Sequence, residues 1–469
     1  MGRFCGLRMS IFFQAGLPKE LQLELLEIYL VLKNIPAPYT FFKNVYKILP
    51  GHFLLAGENG IHVDPYWQFP EIDEDNPSRD EVHVLSEFES LLRDSVKIRM
   101  RSDVPFGAFL SGGLDSSSVV ALMSDISAMP VKTFTIGYHQ KDFDESPMAR
   151  IVADRFGTEH YTGFVEPEKF DQILDHNVFH FDEPFGDSSA IPTGYVSRFA
   201  AEKVKMVLTG DGGDEVLSGY PSYQGLKFIE RYLRIAKPVR LLTPFVINLM
   251  LKLSFGNIRY TLNRLNNFVE SAEEDFNHRM IIKRAKPDLT QIKMLTKHLK
   301  GIIPIEDYIT DRMNCCGYKD DFYRMMYLNF MHDLPNDYLV KVDRMSMAYS
   351  LETRVPFLDH RLVEFMVKVD KNIKMKGYDR KSVLKESVGK MLPPSLLLYP
   401  KRGFLVPIRE WFKDQEFQSR SLEFSAIEGI LDFASVKKIF KDNYEGREDN
   451  GNLIWSLLVL KKVIQKSST

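Results

Sequence analysis

Two short segments of the chain contain residue types suited to phosphate and metal chemistry. The first reads SGGLDS and spans residues 111–116. Gly112 and Gly113 allow a main chain to approach phosphate oxygens closely, and the serines offer hydroxyl donors. The carboxylate of Asp115 would sit beside that anion, which is favourable when Mg²⁺ lies between them. Because an ordinary serine-rich helix cap has the same composition, the segment by itself only favours a phosphate site.

The second segment reads TGDGGDE and spans residues 209–215. Its carboxylates, Asp211 and Asp214, are separated by glycines, so the loop can face a metal ion and a polar substrate together. A solvated turn also has this composition. The segment alone therefore leaves both interpretations open.

The elements around these segments indicate that both belong to one site. Apolar runs alternate with helical patterns, and the predicted strands span residues 105–110, 131–138, 159–165 and 204–210. This alternation predicts an α/β fold with a doubly wound parallel sheet. Both segments follow a predicted strand and should open on the same edge of the sheet. The helix expected after Leu114 would also direct its positive N-terminus towards an anion.

The remaining chain divides into further stretches. Short apolar runs with turn signals predict small antiparallel strands within residues 41–67. Residues 70–81 are acidic, contain two prolines and lack an apolar period, which predicts a linker. We therefore expect a small α+β unit over residues 1–69 and a main domain over residues 82–469. The part after residue 223 is predicted to be mostly helical.

Composition narrows the class of protein. The chain has 469 residues, of which 44% are hydrophobic and 26% charged, and its net charge is −2. These values predict a globular protein of two to three domains without a nucleic-acid partner. The cysteines are Cys5, Cys315 and Cys316, and two neighbours cannot easily pair or hold a metal, so a reducing, cytoplasmic location is expected.

The most apolar run spans residues 241–255 and contains Pro244 and Lys252. It is shorter than the roughly 20 residues that a membrane-spanning helix needs. The sequence therefore predicts a buried helix at this position. No signal peptide or lipid-anchor pattern is found near the start, so no membrane partner is expected.

Six motifs resemble the synthetase domain of the glutamine-using asparagine synthetases in order and approximate spacing. They read FLSGGLDSS, VKTFTIGY, DEPFGDSSAIPT, LTGDGGDEVLSGY, VDRMSMAYSLETRVPFLD and YPKRGFLVPIREW. The likeness covers about residues 83–460, and the family is similar to other adenylating enzymes with the pyrophosphatase-type loop. It implies that ATP and aspartate form an aspartyl adenylate, which ammonia converts to asparagine and AMP. ATP and Mg²⁺ are the implied cofactors.

The resemblance also implies a nucleotide site. The residues expected around ATP and its pyrophosphate are Leu110, Ser111, Gly112, Gly113, Asp115, Ser116, Ile136, Thr209 and Gly210. Asp115 and Asp214 would hold the magnesium ion. Lys401 in PKRGF matches the family's lysine that meets the developing negative charge on phosphate. Lys381 is a weaker phosphate candidate, placed on a helix.

Three carboxylates are implied near the acyl group. Asp211, a catalytic and substrate-binding candidate, stands where many relatives have the longer Glu. Asp187 could recognise the amino acid, although capping of the following helix explains half of that signal. Glu352 resembles a catalytic base of related β-lactam-forming synthetases, and an ion pair with Arg354 or Arg344 is an equal alternative.

The start of the chain departs from this family. Residues 1–67 resemble only the last part of its class II glutamine amidotransferase domain, and the rest of that domain is missing. Cys5-Gly6-Leu7 superficially resembles the nucleophile segment, but the thiol would be N-terminal only after removal of four residues, so a coincidence is inferred. Ammonia would then be free or supplied by a separate glutaminase. The strands of residues 41–67 would be covered by such a subunit, by a second copy, or by the chain's own helices.

Two alternatives to the asparagine reaction stay open. The same adenylating chemistry could amidate another carboxylate. The chain could also be a nucleotide-binding scaffold without catalysis.

Overall fold

The computed structural model describes residues 9–467, except for 59, 141, 166–169, 254–255, 285–288, 398–405, 413–426 and 428. Two features of the sequence analysis lie outside the described residues. They are Lys401 and the segment Cys5-Gly6-Leu7.

The N-terminal part contains two helices and a hairpin. These elements are α1 (Met9–Gln14), a 3₁₀ turn (Leu23–Leu25), α2 (Leu26–Leu32), β1 (His52–Gly57) and the antiparallel β2 (Gly60–Pro65). All seven residues of α2 are buried, and the Tyr29 hydroxyl donates a hydrogen bond to the carbonyl of Ser456 at 2.8 Å. This segment therefore packs into the same hydrophobic core as the C-terminal part of the chain.

Five parallel strands form the central sheet, in the spatial order β5-β4-β3-β6-β7. They are β3 (Phe106–Phe109), β4 (Lys132–Gly137), β5 (Glu159–Phe164), β6 (Met206–Leu208) and β7 (Glu352–Arg354). The first four agree with the strands predicted from the sequence. The last was not predicted, because three residues reading ETR show no apolar alternation.

Helices connect these strands and flank the sheet. They are α3 (Glu81–Arg99), α4 (Leu114–Ile126), α5 (Ser146–Phe156), α6 (Phe170–Phe181), α7 (Ala190–Ala201) and α8 (Gly213–Val216). Helix α3 starts at a capping aspartate, since Asp80 accepts a hydrogen bond from the His83 amide at 3.1 Å. Helices α3, α4 and α5 pack together, and α7 contacts α6, β4 and β5. The fold class expected from the sequence, a doubly wound parallel α/β sheet, is confirmed.

The strand order reverses next to β3. The chain runs outwards from β3 to β4 and β5, and then returns to place β6 on the other side of β3. In open α/β sheets the crevice at such a reversal, beyond the carboxyl ends of the strands, is where ligands bind. The loops that follow β3 and β6 are the two glycine-rich segments.

The rest of the chain is mostly helical, as expected. Its α-helices are α9 (Pro221–Leu233), α10 (Lys237–Leu253), α11 (Gly256–Glu273), α12 (Phe276–Arg284), α13 (Leu289–Thr296), α14 (Ile305–Asn314), α15 (Asp321–Leu328), α16 (Leu339–Met347), α17 (His360–Val367), α18 (Lys371–Lys374), α19 (Ser382–Glu386), α20 (Pro394–Leu397), α21 (Ile408–Trp411), α22 (Phe433–Tyr444) and α23 (Gly451–Ser467). A ten-residue π-helix, Asn329–Tyr338, joins α15 to α16, and 3₁₀ turns span Pro356–Leu358 and Val388–Met391.

One expectation about this region is wrong. The apolar run at residues 241–255 was predicted to be a buried helix, but α10 has a large exposed apolar face, with Phe245 70% accessible. The error arises because apolar content alone does not tell which side of a helix meets the core. Within the part of the chain that the structure describes, no helix combines the length and apolar content that a membrane crossing requires.

Candidate active site

The loop between β3 and α4 forms a tight turn at the N-terminus of the helix. Gly112 has a φ of +78°, and a Cβ at this position would lie 2.7 Å from the amide nitrogen of Ala149. Only glycine fits there without displacement of the backbone. Ser116 Oγ accepts a hydrogen bond from the Ser111 amide at 3.2 Å and lies 3.0 Å from Ser111 Oγ. The turn thus presents main-chain amides and hydroxyls at the positive end of α4.

The loop after β6 lies directly against this turn. A Cβ added at Gly210 would be 2.6 Å from the Ser116 amide nitrogen, and one added at Gly213 would be 2.7 Å from Asp115 Cγ. The glycines of TGDGGDE are therefore needed for close approach of the two loops. The structure brings together the two segments that the sequence analysis placed at one edge of the sheet.

A buried lysine joins the carboxylates of the two loops. Lys381 Nζ forms an ion pair with Asp115 and lies 2.7 Å from Asp214 Oδ1. We call Asp115, Asp214 and Lys381 the phosphate-side cluster. Lys381 precedes α19 with a φ of +57°, and its side chain is only 6% exposed. Lys381 is only a weaker phosphate candidate from its sequence, because its partners are far away along the chain.

The phosphate-side cluster fits a magnesium ion. Asp115 Oδ1 is buried and has no hydrogen-bond partner among the described residues. In the same part of the chain, no group of three or more His, Cys, Asp or Glu side chains could hold a metal. Mg²⁺ commonly takes one or two protein carboxylates and completes its octahedron with water and substrate phosphates. Two carboxylates gathered around one positive charge provide that incomplete set of ligands.

A second group of charges lies in the same cavity, which we call the acyl-side cluster: Asp187, Asp337, Lys33 and Lys341. Lys341 Nζ lies 3.0 Å from Asp187 Oδ2 and donates a hydrogen bond to Ser189 Oγ at 2.7 Å. The Ser189 hydroxyl in turn donates to Asp187 at 2.6 Å. Asp187 is thus already paired within the protein.

The two carboxyl groups of the acyl-side cluster differ in their proton affinity. Burial opposes ionisation of Asp187, but the ammonium groups of Lys341 and Lys33 hold its pKa below the usual range. Burial and the negative charge of Asp187 instead raise the pKa of Asp337 well above its usual value. Asp337 Oδ1 is buried and has no hydrogen-bond partner among the described residues. The cluster therefore contains one satisfied carboxylate and one that lacks a partner.

Asp211 lines the same cavity as the two clusters. Its negative charge adds to the burial that raises the pKa of Glu215 to about 7. Burial would lower the pKa of Lys341, but the carboxylates of Asp187 and Asp337, with a further contribution from Asp211, raise it. The carboxylate of Asp211 thus acts on groups on both sides of the cavity.

A cavity of about 820 Å³ contains both clusters. The sequence-predicted residues that line it are Leu110, Ser111, Gly112, Gly113, Asp115, Ser116, Ile136, Asp187, Thr209, Gly210, Asp211 and Asp214. Sequence reasoning missed Lys33, Asp337 and Lys341, which also line it. Lys341 stands next to the motif VDRMSM, so it could have been considered, whereas Lys33 follows an apolar helix and has no local signal.

Glu352 does not line this cavity. It is the first residue of β7 and pairs in register with Met206, so it lies at the amino end of the strand, opposite the loops. Its carboxylate is exposed and accepts a hydrogen bond from Arg354 Nε at 2.7 Å. The structure therefore agrees with the ion-pair interpretation of Glu352 and not with the catalytic one.

Comparison with known proteins decides the family. A family model described as asparagine synthase matches residues 87–465. The chain belongs to the asparagine synthase family. The matched region contains both loops and all five strands of the central sheet. It also contains every residue of the two charge clusters except Lys33.

Similar proteins are found in bacteria, archaea and fungi. The chain is 28% identical over 445 residues to asparagine synthetase [glutamine-hydrolyzing] 1 of Bacillus subtilis, covering 94% of this chain and 68% of the relative. It is 34% identical over 350 residues to putative asparagine synthetase [glutamine-hydrolyzing] 2 of Methanocaldococcus jannaschii, covering 71% and 62%. A Penicillium rubens protein named amidase chyE is 24% identical over 420 residues, covering 79% and 60%.

The chain thus spans about two thirds of the length of these relatives. Membership of the asparagine synthase family supports an ATP-dependent amidation ligase and implies the use of ATP. The two loops at the edge of the sheet are the part of the structure on which such chemistry would depend.

Proposed function

We propose that the protein activates an amino-acid carboxylate with ATP and converts it to an amide, with aspartate as the substrate and asparagine as the product. The observation that supports this most directly is the single cavity. It contains Lys381 between two carboxylates on one side and the acyl-side cluster on the other. In this proposal, the phosphates and the amino acid occupy neighbouring parts of one cavity.

The phosphate side is suited to a triphosphate. Main-chain amides and hydroxyls of residues 111–116 surround the N-terminus of α4, and Lys381 supplies positive charge beside them. Mg²⁺ held by Asp115 and Asp214 would neutralise phosphate charge as pyrophosphate departs. Lys401, which lies outside the described residues, remains a candidate for the same role.

The acyl side is suited to an amino acid. With a raised pKa, Asp337 carries a proton more readily than Asp187, so the cluster of two lysines and two carboxyl groups tends towards a net charge of +1. Aspartate has two carboxylates and one ammonium group, and its net charge is −1. The cluster and this substrate are therefore complementary in charge.

The proposed reaction has two steps. A substrate carboxylate oxygen attacks the α-phosphorus of ATP, the bond to the bridging oxygen breaks, and pyrophosphate leaves. The nitrogen of ammonia then attacks the acyl carbon, the bond to the phosphate oxygen breaks, and AMP leaves. Asp211, which lines the same cavity, is proposed to accept the proton lost by the nitrogen.

A carboxylate other than aspartate is the alternative substrate, which we call the second acceptor. Relatives named as amidases align with this chain over nearly as much of their length as the asparagine synthetases do. The same adenylating site would then amidate a different carboxylate. In that case the residues of the acyl-side cluster would set the choice of acid.

The test is release of pyrophosphate from ATP and Mg²⁺ with a panel of amino and other carboxylic acids, each with ammonium or with glutamine. Release that requires aspartate, together with AMP and asparagine detected by mass spectrometry, would support the main proposal. Release that requires another acid would favour the second acceptor. If no acid raises release above background, both reactions are contradicted and a nucleotide-binding scaffold is favoured.

A further inference from the structure

Helix α10 presents a wide apolar face to the outside of the protein. The exposed large side chains on it are Val239, Leu241, Leu242, Phe245, Val246, Leu249 and Met250. Leu241 and Leu242 are each 62% accessible and Phe245 is 70% accessible. Exposure of this many apolar side chains on one element marks a surface that another molecule covers.

These side chains form one continuous stripe. Positions 241, 245 and 249, and likewise 242, 246 and 250, are four residues apart and therefore lie above one another on a helix. Ile247, which points to the opposite side, is buried, and α10 packs against α11. The helix thus has two apolar sides. One side packs against the rest of the chain, and the other is exposed.

The same region has an unusual charge. Residues 231–269 contain no Asp or Glu but seven basic residues, although the whole chain has a net charge of −2. These are Arg231, Arg234, Lys237, Arg240, Lys252, Arg259 and Arg264. Arg231, Arg234 and Lys237 are exposed near the start of α10. Arg234 forms an ion pair with Glu230 at 3.0 Å, and Arg240 forms one with Glu273 at 2.5 Å. Arg231 and Lys237 therefore place positive charge at one end of the apolar stripe.

We propose that α10, with the basic residues around it, binds the surface of a membrane that contains anionic lipids. A helix with an apolar face and flanking Lys and Arg residues lies in the plane of the interface, with its apolar side chains inserted below the headgroups. Anionic headgroups attract the basic residues, and each contact near the surface adds to the affinity. The sequence analysis expected no membrane partner, since it considered only spanning helices and covalent anchors.

Two other occupants fit the surface less well. Nucleic acid would match the positive charge but would leave the stripe from Leu241 to Met250 in water. In a symmetric dimer the same patch of each copy meets itself, so the basic residues around α10 would face one another and repel. A bilayer with anionic headgroups matches both the apolar stripe and the charge.

Vesicle binding tests this proposal with the full chain. Flotation is measured with vesicles of phosphatidylcholine alone and with vesicles of equal parts phosphatidylcholine and phosphatidylglycerol. We expect binding to the anionic vesicles that is at least about tenfold stronger than to the neutral ones and that weakens as salt is added. Equal binding to both, or binding to neither, would contradict the proposal.

Two double variants separate the contributions. Phe245→Glu with Leu249→Glu should weaken binding to anionic vesicles by about tenfold or more, because it places charge on the inserting face. Arg234→Glu with Lys237→Glu should remove the preference for anionic lipid. The matched control is Leu55→Glu with Val63→Glu on the β1–β2 hairpin, where both residues are also exposed, at 60% and 46%.

Unchanged thermal unfolding and pyrophosphate release show that each variant is folded. Flotation of the α10 variant equal to that of the wild type overturns the proposal. The oligomeric state, measured by sedimentation without vesicles, provides a second test. If the wild-type chain self-associates and the α10 variant is monomeric, a second copy of the chain covers the stripe and the membrane proposal is overturned.

Discussion

The two charge clusters of the cavity contain similar residues but differ in how many of their aspartates form an ion pair with lysine. In each, a buried lysine lies near two aspartates. Lys381 forms ion pairs with both of its aspartates, Asp115 and Asp214. Lys341 pairs with Asp187 and leaves Asp337 with a raised pKa.

This difference indicates what each cluster can accept. The phosphate-side cluster has two carboxylates around one ammonium group, so its net charge of −1 favours the binding of a divalent cation by the same carboxylates. The acyl-side cluster has an acidic group without a partner, which a substrate ammonium group or a proton can satisfy. The comparison can be tested by removing one member at a time.

The largest effect is expected from Asp115→Ala. Loss of a proposed magnesium ligand beside the phosphates should reduce pyrophosphate release by about 1,000-fold or more. The control is Asp125→Ala, because Asp125 is on the same helix but forms an exposed ion pair with Arg93. A rate for Asp115→Ala near that of the control would refute the metal role.

Lys381→Met should lower the free energy of unfolding by about 3–5 kcal/mol, because two buried carboxylates lose their shared cation. The measurement is urea unfolding, repeated with Mg²⁺, which should stabilise the variant more than the wild type. Lys376→Met is the matched control, since Lys376 also pairs with two carboxylates, Glu81 and Glu386, but at an exposed position. The free energy of unfolding of this control variant should fall by about 1 kcal/mol or less. Equal losses in the two variants would show that the cluster around Lys381 is not desolvated.

Glu215 should make stability depend on pH. Burial raises its pKa from 4.5 to about 7, so the folded state retains a proton that the unfolded state releases between these values. The contribution of Glu215 to the free energy of unfolding is fully present below pH 4.5 and is lost as the pH rises to about 7. Glu215→Gln should therefore become more stable relative to the wild type across this window, by up to about 3 kcal/mol. A constant difference in unfolding free energy from pH 4.5 to 7 would contradict the shift.

The smallest effect is expected from Asp337→Asn. If Asp337 binds the ammonium group of the substrate, the KM for the amino acid should rise by about tenfold while the KM for ATP changes little. Asp311→Asn removes an exposed acidic charge outside the cavity and serves as the control. An increase in the KM for ATP alone would place Asp337 on the phosphate side instead.

Much of the sheet and its loops could be predicted from local sequence. The strand Lys132–Gly137 lies within its predicted range of residues 131–138, and the strand Glu159–Phe164 lies within its predicted range of residues 159–165. These segments have clear apolar periods, and glycine-rich turns separate them from their neighbours. The strand Glu352–Arg354 could not be predicted, because its three residues become a strand only by pairing with Met206–Leu208.

The candidate site was predicted in part. Residues of the two motif loops were found because glycine, serine and aspartate occur together there. Lys381 was given a minor role and Lys341 was missed, since Lys381 meets Asp115 and Lys341 meets Asp187 only across more than 150 positions of the chain. Glu352 had two equal interpretations from the sequence, and only the structure shows that its side chain pairs with Arg354.

The sequence by itself determined the alternation of the first four strands of the sheet with helices, the glycine-rich composition of the turn at residues 111–116, and the resemblance to the asparagine synthase family. Those features depend on neighbouring residues, whose spacing can be read directly. Only the tertiary structure decided that Lys381 lies between Asp115 and Asp214, that Asp337 Oδ1 is buried without a hydrogen-bond partner among the described residues, and that the apolar stripe of α10 faces outwards. Each of these is a property of contacts between distant segments, and burial and charge pairing exist only once those segments pack together.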